Sequence, residues 1–309
     1  MTNITASLVK ELRDKTGAGM MDCKAALTET KGDIETAVDW LRKKGLSKAA
    51  KKAGRIAAEG LVGLHAHDNA GALIEVNSET DFVARNDEFK EFVRDAAEHA
   101  LHAEGDLEKL LARPLRQATV QETLTAMIAK IGENMSVRRA AVLGVTPGVV
   151  ASYMHNAVGP DLGKIGVLVA LRSTGDKAKL ATFGRQIAMH IAFAAPLALK
   201  PNELPADIVE RERAVQVDIA RQSGKPENLI EKMLEGRMRK FYEESVLLSQ
   251  IFQSADSDGK STVAKVVETL AKDLGTPVEI VGFLRFAVGE GIEKETADFA
   301  AEVKSVAGH

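Results

Sequence analysis

The chain is predicted to be an α+β protein with an amino-terminal bundle of three helices, a duplicated α+β core, a projecting antiparallel helical hairpin and a carboxy-terminal helical module. Three observations predict this. Over the first 45 residues apolar positions recur at helical spacing. From Leu61 strand-like runs alternate with helical ones, and beyond PLALKPNELP, with its three prolines, long amphipathic helices return. At 309 residues the chain exceeds one compact core, so several domains are expected. They are placed at 1–57, 58–147, 148–282 (with the hairpin at about 206–243) and 283–309.

In the first domain ITASLVKELRDKTG is a helix stopped by Gly17 and Gly19, and MMDCKAALTETKG is a second. Asp33 caps a third, IETAVDWLRKK, which Gly45 ends. So small a bundle is similar to ubiquitin-associated domains. LSKAAKKAGRIAAEG follows, with Lys48, Lys51, Lys52 and Arg55 at helical spacing. It is either a solvated linker helix or a docking strip for an acidic partner.

The strands LVGLHAHD and ALIEVNS are joined by the turn DNAG. DEFKEFVRDAAEHALHA is a helix burying Phe89, Phe92, Val93, Ala96, Ala97, Ala100 and Leu101, and the helix VQETLTAMIAKIG and strand SVRRAAVLGV complete the unit. A similar order recurs in VVASYMHN, IGVLVALRS and KLATFGRQIAMHIAFAA, a faint internal duplication. Next come the hairpin helices, lined by Ile208, Val215 and Ile219 on one and by Leu229, Ile230, Met233, Met238 and Phe241 on the other, with SGKP as their turn. Such a hairpin either meets another protein or packs on its own domain. The helix STVAKVVETLAKDLG, the strand VEIVGFLRFAVG and an amphipathic helix bearing Ile292, Phe299, Val303 and Val306 end the sequence.

Hydrophobic residues make up 45% and charged residues 28%, the balance of an ordinary soluble protein. No apolar run approaches the roughly 18 residues that cross a bilayer, and MTNITASLVKELRDK lacks a secretory core, so a cytoplasmic location without membrane contact is expected. Residues 1–55 hold 12 Lys and Arg against 7 Asp and Glu, while the whole chain carries a net charge of −3. That polarity falls short of the basic, aromatic-rich surface that nucleic-acid binding requires, and no direct nucleic-acid contact is expected. Cys23, the one cysteine, reads as a small buried side chain.

Catalytic signatures are missing. DSDGKST imitates the end of a phosphate loop but has Ser254 where glycine is required, GEGI lacks the third glycine of a dinucleotide fingerprint, and neither GxSxG nor HExxH occurs. His65 and His67 share a strand face without a third ligand, and His155 and His190 read as structural histidines. No catalytic residue, metal or cofactor is assigned. The informative feature is NSETDFVARND, where Phe82 and Val83 interrupt a polar connection. Either Phe82 folds back onto its own helix, or it is a wedge. As a wedge its ring enters an apolar crevice of a partner while Asp81 meets free N–H groups at a helix amino terminus.

The blocks TGAGMMDCKAAL, KKAGRIAAEG, EVNSETDFVARND, KIGEN, DIARQSGKP, EGRMRKF and RFAVGEGIEK resemble, in order and over practically the whole chain, the bacterial translation elongation factor Ts family. These are the guanine nucleotide exchange factors of elongation factor Tu, so the resemblance implies exchange without a chemical reaction centre. It also implies that Thr80, Asp81, Phe82 and Val83 intrude near the partner's nucleotide site and dislodge magnesium. Ile131, Gly132 and His155 are implied beside that wedge, and Arg13, Met20 and Met21 as contacts of the amino-terminal domain. The terminal module is implied as a further contact, and the hairpin mediates self-association in some members. HNAVGPDLGK is longer than the corresponding link in some members, so the role implied for His155 is the least firmly carried over.

Overall fold

The computed structural model describes residues 4–16, 18–222, 227–254 and 257–293. At the amino terminus α1 (Ala6–Thr16), α2 (Met20–Glu29) and α3 (Ile34–Ala50) close around the fully buried Leu12, Cys23, Ala26, Leu27 and Ala37. Burial pushes the Cys23 thiol pKa up, as suits a small core side chain. Asp33 caps α3, accepting from the Thr36 N–H at 2.7 Å.

The first half of the core contains β1 (Glu59–His67), β2 (Ala70–Ser78), α4 (Asp81–Arg85), α5 (Asp87–His102) and α6 (Leu107–Ala112). A small hairpin of β3 (Pro114–Leu115) and β4 (Ala118–Thr119) leads into α7 (Val120–Ile131) and β5 (Met135–Gly144). Gly45 does not end α3, contrary to expectation, because it lies where that helix crosses α7. A β-carbon at Gly45 would sit 3.7 Å from that of Ala129, and Arg42 pairs with Glu122 on α7. An interior glycine costs about 1 kcal/mol of helix stability. Two of the four cations of the strip, Lys48 and Arg55, are paired within the chain. Lys48 and Lys44 hold Asp22 at 2.9 and 3.1 Å, and Arg55 faces Glu79 at 3.5 Å.

β2 is flanked by β1 and β5, all antiparallel. The second half repeats this order: β6 (Gly148–His155) and β9 (Glu279–Ala287) flank a central β8 (Ile165–Arg172). In both central strands the register against the third strand shifts at the same place, between Glu75 and Val76 in β2 and between Ala170 and Leu171 in β8. Each first strand carries a positive-φ glycine at the matching spot. A β-carbon on Gly60 or Gly148 would fall 2.1 Å from the carbonyl oxygen of Val76 or Leu171, respectively. Only glycine permits so close a backbone approach.

Packing follows from this repetition. α5 covers one face of the first sheet, burying Phe89, Phe92, Val93, Ala96, Ala97 and Ala100 as its periodicity predicts, with Leu101 at the margin. Burying each large side chain contributes about 1.5–3 kcal/mol. α8 (Lys177–Ala194) covers one face of the second sheet, and the two remaining faces meet through Val62, Leu64, Leu73, Val150, Leu168 and Phe286. Because β2 and β8 are buried on both sides, they read as near-continuous apolar runs.

The insertion after His155 docks as β7 (Leu162–Gly163), pairing Gly63 with Leu162 and Val62 with Gly163 at the edge of the first sheet. Leu162 is fully buried. α9 (Ala206–Gln222) and α10 (Glu227–Ser245) lie against each other, with Arg237 donating to Gln216 at 2.8 Å. The predicted stripe holds in part: Ile230 is buried and Ile208, Met233, Met238 and Phe241 are half-buried, whereas Val215, Ile219 and Leu229 face solvent and Ala220 and Leu234 are buried beside them. The SGKP turn lies outside the described residues.

Before α11 (Val263–Leu274) the phosphate-loop look-alike is an Asx turn. Asp258 accepts from the N–H groups of Lys260 and Ser261 and from the Ser261 hydroxyl, which lower its pKa to about 2. β9 continues through Ala287, so the boundary expected after residue 282 falls inside a strand. Phe299, Val303 and Val306 of the expected terminal helix lie outside the described residues.

Candidate functional site

β2 ends at Ser78, whose hydroxyl donates to the Thr80 carbonyl at 2.9 Å and tightens the turn into α4. Thr80 is the N-cap of α4, yet its side chain accepts nothing from that helix. Instead its N–H and Oγ1 both donate to the Glu133 carboxylate, at 3.0 and 2.8 Å. Glu79 runs a parallel tie, accepting from the Asn134 N–H at 2.5 Å, while the Asn134 amide donates to the Arg55 carbonyl at 2.7 Å. Glu133 reaches this turn because α7 stops at Gly132, whose φ of 90° reverses the chain. Three segments distant in sequence, around Arg55, Glu79–Thr80 and Glu133–Asn134, thus form one knot.

Phe82 does not sit in a loop, as expected, but on the five-residue helix α4. Successive helical residues point about 100° apart, so the faces separate. Val83 and Ala84 go into the core under α5, whereas Phe82 is 73% exposed. Val83 is therefore the inward anchor of this segment and no part of its protruding surface. Asp81 pairs with Arg85 at 3.0 Å, and the Arg85 guanidinium lies 6.0 Å from the centre of the Phe82 ring.

The remaining expected residues divide. Ile131 is half-buried against the same core, and Gly132 is the open cap beside the knot. Met20 and Met21 project from the first turn of α2, 61% and 76% exposed, and Arg13 is exposed on α1 with Asp14 3.4 Å away. His155 closes β6, its Nδ1 3.1 Å from the Tyr153 hydroxyl and its carbonyl accepting from the Lys164 N–H. Among the described residues no hydrogen bond joins it to the knot. Glu79 and Glu133 were missed by sequence reasoning, since nothing local to either residue identifies its partner.

Three residues before the turn, Glu75 is wholly buried in β2. It accepts from the Asn77 amide at 2.9 Å, from Arg138 at 3.2 Å, from Arg139 at 2.6 Å and from the Gly289 N–H at 2.7 Å. Burial raises its pKa, but the Gly289 N–H, the Asn77 amide and Arg139 outweigh that and hold it below the usual range. His190 is also buried. Its Nδ1 accepts from the Gln253 N–H, so Nε2 carries the proton and donates to Gln250 at 2.9 Å, while burial lowers its pKa. The Nε2 atoms of His65 and His67 lie 3.0 Å apart, and no group of three or more His, Cys, Asp or Glu among the described residues is arranged to hold a metal ion. No helix among those residues is long and apolar enough to cross a membrane.

The sequence model described as "Elongation factor TS" matches residues 79–290, a stretch that opens in the knot at Glu79. The chain is 60% identical over 309 residues to "Elongation factor Ts" of Parvibaculum lavamentivorans, covering 99% of each chain. The chain belongs to the elongation factor Ts family. It is equally 60% identical to "Elongation factor Ts" of Rhodospirillum centenum over 310 residues, all of both chains, and to that of Rhodospirillum rubrum over 306 residues, 98% of both. In this elongation factor Ts chain the matched stretch closes at Glu290, which pairs with Arg285 at 2.7 Å and Arg139 at 3.5 Å. Its two ends therefore coincide with the two polar clusters around β2.

Proposed function

We propose that the protein is the cytoplasmic guanine nucleotide exchange factor of elongation factor Tu, binding its GDP-bound and nucleotide-free forms and releasing GDP without chemical catalysis. The amino-terminal helices act as a ubiquitin-associated-like contact domain, and the duplicated core presents the wedge. The observation that carries this reading is Phe82: an aromatic ring 73% exposed beside a carboxylate, on a helix anchored by the buried Val83 and Ala84. Water does not favour such exposure, whereas an apolar crevice in a partner does.

Mechanistically, nucleotide and exchange factor favour different geometries of the partner's nucleotide site, so each weakens the other's binding by the same free energy. The ring enters between elements flanking the phosphates, and Asp81 meets backbone N–H groups there. Displacing magnesium removes charge compensation from the phosphates, and GDP leaves. GTP then rebinds and expels the factor by the same reciprocity. Phe82→Ala is expected to slow release of a fluorescent GDP analogue from elongation factor Tu, in stopped flow at saturating factor, by on the order of 10–100-fold. An unchanged maximal rate overturns the wedge.

A further inference from the structure

A helix of five residues does not sustain itself in water, and α4 lacks the side-chain cap that would help it. The residue placed to cap it, Thr80, has its hydroxyl diverted to Glu133, and the same carboxylate takes the Thr80 N–H. Two bonds from one planar group fix an angle as well as a position. Because the neighbouring Glu79 is tied to Asn134 and Arg55, the base of α4 is held from two sides. Glu133 itself is only partly buried, so the side chain serves these bonds more than core packing.

We propose that Glu133 is a positioning residue for nucleotide exchange, its carboxylate clasping both donors of Thr80 so that Asp81 and Phe82 leave the core at the angle from which the ring enters the partner. This rests on the wedge reading above. A loosened wedge still binds but seldom arrives correctly oriented, so the loss falls on the maximal release rate and not on the concentration needed for half-saturation.

The test uses the full chain with elongation factor Tu carrying a fluorescent GDP analogue, together with amide hydrogen exchange at Thr80 and Asp81. Glu133→Ala is expected to lower the maximal release rate on the order of tenfold, to change half-saturation by less than about threefold, and to speed amide exchange at Thr80. Glu133→Gln, retaining one acceptor, is expected to fall between. In a Phe82→Ala background Glu133→Ala is expected to add clearly less than its roughly tenfold effect alone, since only Asp81 remains to be aimed. A normal maximal rate for Glu133→Ala alongside a slow Phe82→Ala overturns the positioning role and leaves the wedge standing. A normal rate for Phe82→Ala overturns both. Should Glu133→Ala not fold, Thr80→Val removes only the hydroxyl arm and is expected, like Glu133→Gln, to lower the maximal rate by less than about tenfold with half-saturation little changed; a normal maximal rate for it overturns the positioning role.

Discussion

Between Phe82 and Val83 exposure falls from 73% to 4%, although the two residues are chemically alike. The difference is the rotation of one helical residue, and five residues are too few for a periodic pattern to show it in the sequence. Among the described residues the Asp81 carboxylate pairs with Arg85, and both side chains are exposed. Such pairs contribute about 0.2–1 kcal/mol, so the carboxylate exchanges Arg85 for a partner's N–H groups at little cost. Asp81→Asn is accordingly expected to shift the thermal midpoint by less than about 2 °C, while lowering the maximal GDP release rate on the order of tenfold. Calorimetry beside stopped flow separates the two, and a midpoint several degrees lower marks Asp81 as structural instead.

At the scale of elements, local pattern locates the longer helices and strands but not the short α4, α6, β3, β4 and β7, and it does not fix where the long ones end or pack. Gly45 reads locally as a stop because glycine is a good helix terminator. In the fold it lies inside α3 because α7 passes close by, which the sequence of α3 does not record. Likewise the hairpin seam runs through Ala220 and not Ile219, since the seam is set by the opposing helix. HNAVGPDLGK reads as a surface insertion but supplies an edge strand, with Leu162 in the first core and the Lys164 ammonium on the Gly60 carbonyl at 3.0 Å. Leu162→Ala is therefore expected to cost about 2–5 kcal/mol in urea unfolding. Val158→Ala, at an exposed position of the same insertion, is expected to cost less than about 0.5 kcal/mol. Equal small costs at both positions mean that β7 does not hold in solution.

For the whole molecule, two sheets meet face to face, and the buried Glu75 ties β2 and β5 to the chain leaving β9 through Arg139 and Gly289. Its folded-state pKa is depressed, so its stabilisation is fully present above the unfolded value of about 4.3 and is lost as pH falls through the folded one. His190 is neutral and also depressed, so stability falls earlier as well, when pH drops below its unfolded value of about 6.5 towards its folded one. Acid unfolding is expected in two stages, and Glu75→Gln to lose about 3 kcal/mol at neutral pH and to flatten the later stage. Thermal melts from pH 7 to 3.5 check this, and parallel curves for the two proteins reject it. The sequence alone determined the order of the longer helices and strands, the buried face of α5 and the family, because these rest on local periodicity and contiguous blocks. The tertiary structure alone decided that Thr80 gives its hydroxyl to a carboxylate 53 residues away, that Glu75 meets the end of β9, and that Phe82 faces out while Val83 faces in. A bond between distant segments depends on the path of the whole chain, and no local spacing encodes that path.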